Sequence, residues 1–167
     1  MDISMKEPEL IKILSVGDVP FIKKPWGWER WIADGRPDFP YVFKEIFLKA
    51  GFRSSLQFHQ KKQETSYVQK GKGVLHYSVR PVEIERFLAG GYTEAELNKI
   101  IRQLEKKELN VGSVYHISPG IIHRLEAIED IMFVESSTVE VDDIFRLADD
   151  EGRGHGRIDN EHQSKNK

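Results

Sequence analysis

The chain contains no cysteine among its 167 residues. Disulfide bonds, thiolate metal sites and a cysteine nucleophile are therefore excluded, and a reducing compartment is compatible with the composition. No apolar run approaches the roughly 20 residues of a membrane span. The opening stretch MDISMKEPEL also lacks the apolar centre of a secretion signal. We therefore expect a soluble, cytoplasmic protein without a membrane partner.

The sequence also lacks a large excess of either positive or negative residues. The 25 lysines and arginines nearly balance the 27 aspartates and glutamates, and the formal net charge is −2. No basic stripe runs along the sequence, so a nucleic-acid partner is not expected. The sequence also lacks a recognisable serine elbow, which argues against a nucleophilic hydrolase.

The hydrophobic residues of the chain suffice to form one buried core. Hydrophobic residues make up 39% of the chain, including nine phenylalanines and three tryptophans. The length predicts a single domain, which we place at residues 1–153. Residues 154–167 are almost devoid of apolar side chains and are expected to form a disordered tail, with His155 and His162 in solvent.

Short segments rich in aromatic and β-branched residues alternate with glycine turns along most of the chain. Strands are predicted at 41–48, 54–59, 64–69, 74–79, 112–117, 125–128, 131–135 and 139–146. This pattern predicts an all-β protein, a small antiparallel barrel or jelly roll.

One segment, 82–109, departs from the strand pattern. Thr93 and Glu96 form a capping box, and apolar residues follow it at helical spacing: Leu97, Ile100, Ile101 and Leu104. The segment is predicted to contain an amphipathic helix. Packing on the outside of the barrel, a dimer contact and a lid over the pocket are its three alternatives.

Four residues form a candidate ligand set for one divalent metal ion. Gln57 and His59 are two apart and point to one face of a strand, Glu64 follows, and His123 comes after the Pro119-Gly120 turn. Their oxygens and neutral nitrogens suit such an ion. Taken singly, each also has a structural reading, as a core amide, a hydrogen-bonded histidine or a surface glutamate. Two histidines on predicted strands are not expected to be ligands: His76 and His116.

These motifs resemble those of the cupin superfamily. The stretch GFRSSLQFHQKKQETSYVQKG follows the first cupin motif, with Gln57 in place of its first histidine, and SPGIIH resembles the second. Within cupins the chain is most similar to the C-terminal isomerase domain of type II phosphomannose isomerases. Four stretches carry this resemblance: KPWGWERW, SLQFH, GSVYHISPGIIHRLE and VDDIFR.

The resemblance implies a fold, a cofactor and an activity. The fold would be a cupin jelly-roll barrel, with the helix inserted between the two motifs. Gln57, His59, Glu64 and His123 would be the metal ligands, most often for zinc, with manganese, iron, cobalt or nickel as alternatives. The activity would be metal-dependent aldose-ketose isomerisation of a sugar or sugar phosphate. We also expect the protein to be a homodimer. The metal would polarise the carbonyl and stabilise an enediolate.

Several further residues are candidates around this metal. Arg124 follows His123 as in the family's His-Arg pair and is predicted to lie on the rim over the metal. Lys62 matches a basic position of the family. Glu126, Lys62 and a metal-bound water all remain open as the proton-transfer base. Four residues are candidates for binding substrate: Arg53, Lys61, Arg146 and Trp26.

Several of these candidate residues also have a purely structural interpretation. Lys61 and Lys62 suit a solvated turn, Arg146 suits a structural salt bridge with Asp142 or Asp143, and Trp26 suits a plug at one end of the barrel.

The chain also departs from the family's pattern. Gln60 and Lys61 stand where the family has further histidines, and Ala127 replaces a terminal asparagine. Mannose 6-phosphate is therefore only one candidate beside other phosphosugars and free pentoses or hexoses. Two other functions compete with isomerisation: a non-catalytic, metal-containing cupin that binds a sugar or metabolite, and an iron-dependent cupin oxygenase.

Overall fold

A computed structural model describes residues 11–35, 39–148, 150 and, for the backbone alone, 156–158. The two tail histidines, His155 and His162, lie outside these residues. Among the described residues no helix is long and apolar enough to cross a membrane.

The described chain is built mainly from strands. In chain order they are β1 Phe21–Lys24, β2 Gly27–Asp34, β3 Val42–Leu48, β4 Leu56–Phe58, β5 Glu64–Lys70, β6 Gly73–Tyr77, β7 Glu105–Leu109, β8 Val114–Ile117, β9 His123–Ala127, β10 Ile131–Ser137, β11 Ile144–Ala148 and β12 Gly156–Ile158. Two α-helices, α1 Ile84–Leu88 and α2 Glu94–Arg102, lie between β6 and β7, and a 3₁₀ turn spans Val16–Asp18.

The strands form two antiparallel sheets of six strands each. The first sheet has the order β1-β2-β3-β10-β5-β8 and the second β12-β11-β4-β9-β6-β7. Buried and partly buried residues alternate strictly along β3 and through most of β10, because successive side chains of a strand point to opposite faces. The inward residues of both sheets make one core that includes Leu48, Val68 and Leu125. The prediction of an all-β jelly roll is confirmed.

Helix α2 begins at the predicted capping box. The Thr93 hydroxyl accepts from the Glu96 backbone amide, and the Glu96 carboxylate accepts from the Thr93 amide. Ile100 and Ile101 pack towards Phe58 and its neighbours, which lie on the outer face of the second sheet. The helix therefore covers the barrel from outside and is not a lid. A dimer contact through this helix stays a prediction.

Three segments differ from the prediction. Residues 21–34 form the β1-β2 hairpin, where the sequence suggested only a bend flanked by tryptophans. Residues 105–109, expected within the helical insertion, form β7. Part of the expected disordered tail, 156–158, forms β12 beside β11. The charged strand β7 lacks a hydrophobic alternation because its residues other than Leu109 are exposed.

Glycine is required at position 27, where the hairpin turns into β2. A Cβ atom there would lie 2.0 Å from the Phe47 carbonyl oxygen. This close approach lets the hairpin lie against β3, so that Trp26 enters the core while Trp28 stacks on Phe47 on the other face. Trp26 is therefore a buried core residue.

Candidate metal centre

Three of the four predicted ligands come together inside the barrel. His59 follows β4, Glu64 begins β5 and His123 begins β9, and all three side chains are buried. One ligand atom from each lies within 4.8 Å of the others. The His59 Nε2 atom is 3.6 Å from one Glu64 carboxylate oxygen, and the His123 Nε2 atom is 3.3 Å from the other. This group can hold a metal ion.

Both imidazole rings present the same nitrogen to the centre. His59 Nδ1 lies 2.5 Å from the Asp143 carbonyl oxygen, and His123 Nδ1 lies 2.9 Å from the Ile121 carbonyl oxygen. A carbonyl only accepts, so each Nδ1 donates a proton and each Nε2 keeps its lone pair. The buried His59 Nε2 has no hydrogen-bond partner within the described structure. An orphaned lone pair beside a carboxylate and a second imidazole fits a divalent cation.

Gln57 lies beside these residues. It is the cross-strand partner of His123 between β4 and β9, and it lines the same cavity. Its side-chain oxygen accepts a 2.6 Å hydrogen bond from the Ser55 hydroxyl. An amide oxygen can accept such a bond and still offer its second lone pair. Gln57 as fourth ligand stays a prediction.

Lys62 is the main surprise at the centre. Its side chain is buried between two carboxylates, 2.5 Å from Glu64 and 2.8 Å from Glu135. Burial alone would lower the pKa of Lys62, but the charges of Glu135 and Glu64 outweigh it and raise that pKa. Burial would raise the pKa of Glu64, yet the Lys62 ammonium holds it well below its usual range.

Asp143 ties the loop after β4 to the loop before β11. Its carboxylate accepts from three successive backbone amides, Gln60, Lys61 and Lys62, while its carbonyl accepts from His59. One residue therefore sets both the ring orientation of a ligand and the path of the chain that carries Lys62.

The centre opens into a cavity of about 100 Å³ enclosed by the two sheets. Its apolar walls include Trp26, Ile46 and Phe133, and its charged lining comprises Lys24, Glu29, Lys44, Lys62, Glu64 and Glu135. The Tyr115 hydroxyl also faces this space, and burial raises its pKa, so that the phenol stays neutral.

The structure contradicts the predicted roles of Arg124 and Glu126. His123 points inward on β9, so Arg124 and Glu126 belong to the opposite, outer face. Arg124 donates to the Ser54 carbonyl and lies 3.2 Å from the Asp150 carboxylate. Glu126 contacts His76 Nε2 at 2.7 Å. Neither residue lines the cavity.

The four residues predicted to bind substrate lie in different parts of the structure. Trp26 lines the cavity, whereas Arg53 lies outside it, half exposed and paired with Asp150. Lys61 is exposed in a surface turn, the plainer of its two readings. Arg146 is buried on β11 opposite Gln57, but it is not part of the cavity wall. His76 and His116 are not in the ligand group, as expected.

Sequence reasoning missed Glu135, Lys44 and Glu29 as cavity residues. A signal existed, because each is a charged residue at an inward position of a strand whose other inward residues are mostly apolar. Ile131 and Phe133 place Glu135 on the inner face of β10, and Val42 and Ile46 do the same for Lys44 on β3. A buried charge of this kind needs a partner or a function.

Comparison with known proteins gives fold relatives only. No family model matches the chain, and no curated protein sequence matches it. Among solved structures, oxalate decarboxylase from Bacillus subtilis superposes with a TM-score of 0.59 at 17% identity, over 80% of this chain and 31% of that one. The capsular polysaccharide assembling protein CapF from Staphylococcus aureus superposes with a TM-score of 0.57 at 18% identity, over 78% of this chain and 34% of that one.

The fold is that of a cupin. At these identities the likeness concerns the fold, and the chain spans about a third of the length of either relative. In this barrel the end of β4 lies beside the starts of β5 and β9. This arrangement explains how residues so far apart in the chain meet at one centre.

Acid should destabilise the metal-free protein. Burial lowers the pKa of His59 to about 4, the charge of Glu64 offsetting this only in part, whereas an unfolded histidine titrates near 6.5. The unfolded chain therefore binds a proton first, and stability falls as pH drops from about 6.5 towards 4. We expect a loss on the order of 2 kcal/mol from His59 between pH 7 and 5, measured by urea unfolding with chelator present.

The variant His59→Gln is the matched control for this titration. This variant should show much less change in the free energy of unfolding between pH 7 and 5 than the wild type. Below about pH 4.5 a further loss is expected in both proteins, because the depressed pKa of Glu64 means that its stabilising charge disappears as pH falls. An unchanged slope in His59→Gln would assign the acid sensitivity to another group.

Proposed function

We propose that this protein is a metal-dependent sugar isomerase, which interconverts an aldose and a ketose. The observation that supports it best is the His59, Glu64 and His123 group beside a second buried pair, Lys62 and Glu135, in one cavity. The histidine and glutamate group suits a cation, and the Lys62 and Glu135 pair can take part in proton transfer. An aldose-ketose interconversion needs both, because a proton must move between C1 and C2 while negative charge develops on oxygen.

His59, Glu64 and His123, with Gln57, would hold the metal. A divalent cation held there would polarise the substrate carbonyl and offset the negative charge that develops on its oxygen. Zinc is the expected ion, with manganese, iron, cobalt or nickel as alternatives. Asp143 and the Ile121 carbonyl orient the two imidazoles, so that metal binding requires no change of tautomer.

Glu135 is our candidate for the base that moves the proton. It is a cavity carboxylate outside the ligand group, and Lys62, which also contacts Glu64, donates to it at 2.8 Å. With its pKa raised, Lys62 stays protonated and would serve as a hydrogen-bond donor to a developing oxyanion rather than as a base.

The cavity volume restricts what can react here. About 100 Å³ is less than the roughly 300–1,000 Å³ of pockets that enclose drug-sized ligands. The cavity would therefore enclose a short sugar, or only the reacting end of a longer one.

The deciding experiment is exchange of the C2 hydrogen. The metal-loaded protein is incubated in deuterium oxide with aldoses and ketoses of three to six carbons, with and without phosphate, and NMR follows deuterium at C2. Deuterium incorporation with product formation supports the isomerase. Binding without exchange points instead to a metabolite-binding cupin, and purification with iron together with oxygen consumption points to an oxygenase.

Two glutamates separate the proposed base from the one suggested by the sequence. Glu135→Gln should lower the exchange rate by about 10²-fold or more, because a positioned base commonly contributes 10²–10⁴-fold. It should keep its metal, since Glu135 is not a ligand. Glu126→Gln removes a carboxylate from the outer face and should retain exchange. The opposite pattern would return the role to Glu126.

A further inference from the structure

The two sheets of the barrel differ on their outer faces. On the second sheet, Phe58 and Phe145 are covered by the helical insertion, where the Phe87 ring packs edge-on against both. On the first sheet, large apolar side chains remain open to solvent in the part of the chain that the structure describes. Tyr67 is 45% exposed there and Val114 55%. Exposed apolar residues grouped on one face mark an interaction surface more often than scattered ones do.

Strand alternation collects these side chains on one surface. Because the buried residues of β3 and β10 point into the core, the residues between them point outward. The register then places outward residues of neighbouring strands side by side. We call the resulting surface the outer apolar face, and its members are Trp28, Phe43, Phe47, Tyr67, Met132 and Val134.

The polar residues of this surface lie mostly at its rim. One row of cross-strand neighbours begins at the exposed Lys23, continues through the apolar residues Trp28, Phe47 and Met132, and ends at the exposed Lys70. An apolar centre with a charged rim is the usual anatomy of an interface between proteins.

A single ion pair lies within the face. Arg30 on β2 contacts Glu45 on β3 at 2.6 Å, and the Arg30 guanidinium also lies 5.1 Å from the centre of the Trp28 ring. The pair leaves the centre of the face without net charge, so a second protein surface can cover it without stranding an unpaired charge. Lipid tails would suit it less, because they offer the two charged groups no polar partner.

The size of the surface fits a dimer. Six strands about 4.8 Å apart, with about seven residues of 3.3 Å each, span roughly 600 Å². The segment 11–16 adds exposed apolar side chains beside it, since Leu14 and Val16 line a groove together with Ile32 and Phe43. A stable interface takes about 800 Å² from each partner, which this face and the segment together approach.

We propose that the outer apolar face is the interface of a homodimer, in which the first sheets of two copies pack against each other. The two-fold axis lies near Glu45 and Val134, which are cross-strand neighbours on the two middle strands of the sheet. About this axis Arg30 of each copy approaches Glu45 of the other, so that the two ion pairs complement each other. The sheets then lie about 10 Å apart. This arrangement depends neither on the metal nor on the proposed reaction.

Sedimentation of the full chain over a range of concentrations tests the interface. The wild type should be a dimer. Val134→Lys and Tyr67→Lys each place an ammonium group on the face and should weaken dimerisation by about thirtyfold or more, as expected of central interface residues. Leu88→Lys is the matched control, because Leu88 is 44% exposed on helix α1, and it should leave the dimer unchanged. Circular dichroism verifies that each variant is folded.

The absence of cysteine from the chain permits a second measurement. In Val134→Cys the two introduced thiols lie close to the proposed axis, and a short bis-maleimide should link them into a covalent dimer. Val79→Cys places a thiol at an exposed position that follows β6 in the second sheet, and it should give no such product.

Three results would overturn the proposal: a monomeric wild type, a dimer that survives both Val134→Lys and Tyr67→Lys, or a dimer lost only in Leu88→Lys. The last would assign the interface to α1. In a monomeric wild type, protection of Met132 from oxidation would point to the chain's own terminal residues as the cover of the face. Binding of that monomer to phosphatidylcholine vesicles would point to a lipid surface.

Discussion

His59→Ala and His123→Ala are each expected to purify without bound metal while keeping the barrel folded. Either change removes one of two Nε2 lone pairs from the centre and leaves a single imidazole beside Glu64. Loss of a residue that merely orients a ligand commonly costs 10–100-fold in metal affinity, and loss of the ligand itself should cost more. Metal analysis after gel filtration measures the content, and circular dichroism reports the fold.

The fold should survive because the core does not depend on these rings. The apolar cluster around Leu48, Val68 and Leu125 is contributed by both sheets. His116→Ala is the matched control, since His116 lies on an exposed part of β8 and contacts Thr65. It should keep full metal content. A His59 or His123 variant that retains one metal per chain would show that the ion binds elsewhere.

Replacing Lys62 should cause the largest loss of stability. Lys62→Met keeps the apolar stem but leaves the buried carboxylates of Glu64 and Glu135 without their shared ammonium. Removing one partner of a buried ion pair typically costs about 3–5 kcal/mol, because an uncompensated charge remains. Urea unfolding of the metal-free protein at neutral pH measures this cost.

Two comparisons make the Lys62 result specific. Lys61→Met changes the adjacent, exposed lysine and should alter stability by no more than about 0.5 kcal/mol. The double variant Lys62→Met, Glu135→Gln should be less destabilised than the sum of its single changes, because the two residues are in contact. Equal effects of Lys61→Met and Lys62→Met would refute a buried ion pair.

The pH dependence of Lys62→Met provides a further signature. Without the ammonium, burial should raise the folded-state pKa of Glu64 above its unfolded value. Glu64 in the folded variant would then bind its proton more tightly than in the unfolded chain, so the contribution of this group to stability should fall as pH rises above about 4.5. The deficit relative to wild type is therefore expected to be larger at pH 7 than at pH 5.

The ligand residues were accessible from sequence because local rules govern them. A period of two places Gln57 and His59 on one face, and the Pro119-Gly120 turn precedes the strand that begins at His123. The same period also predicts that Arg124 and Glu126 point away from His123. The resemblance to a family favoured Arg124, and Glu126 was one of the open candidates for the base. The alternation of the strand decides against both.

The helical insertion likewise has features that local sequence predicts and a position that only long-range packing decides. The capping box and the apolar spacing identified α2 correctly, because both depend on residues three or four apart. Where the helix packs was left open between three alternatives. Its contact with the outer face of the second sheet depends on Phe58 and Phe145, which are far from it in sequence.

By itself, the sequence determined most of the strands, the capped helix and the three residues that can hold a metal, since each follows from spacing within a short segment. Only the tertiary structure decided that Lys62 lies between Glu64 and Glu135, that Asp143 holds the His59 ring, and that Lys44 and Lys24 share Glu29. These pairs join segments distant in the chain, and the register between their strands is set by packing of the whole barrel. The arrangement of charged groups in the cavity arises at that level.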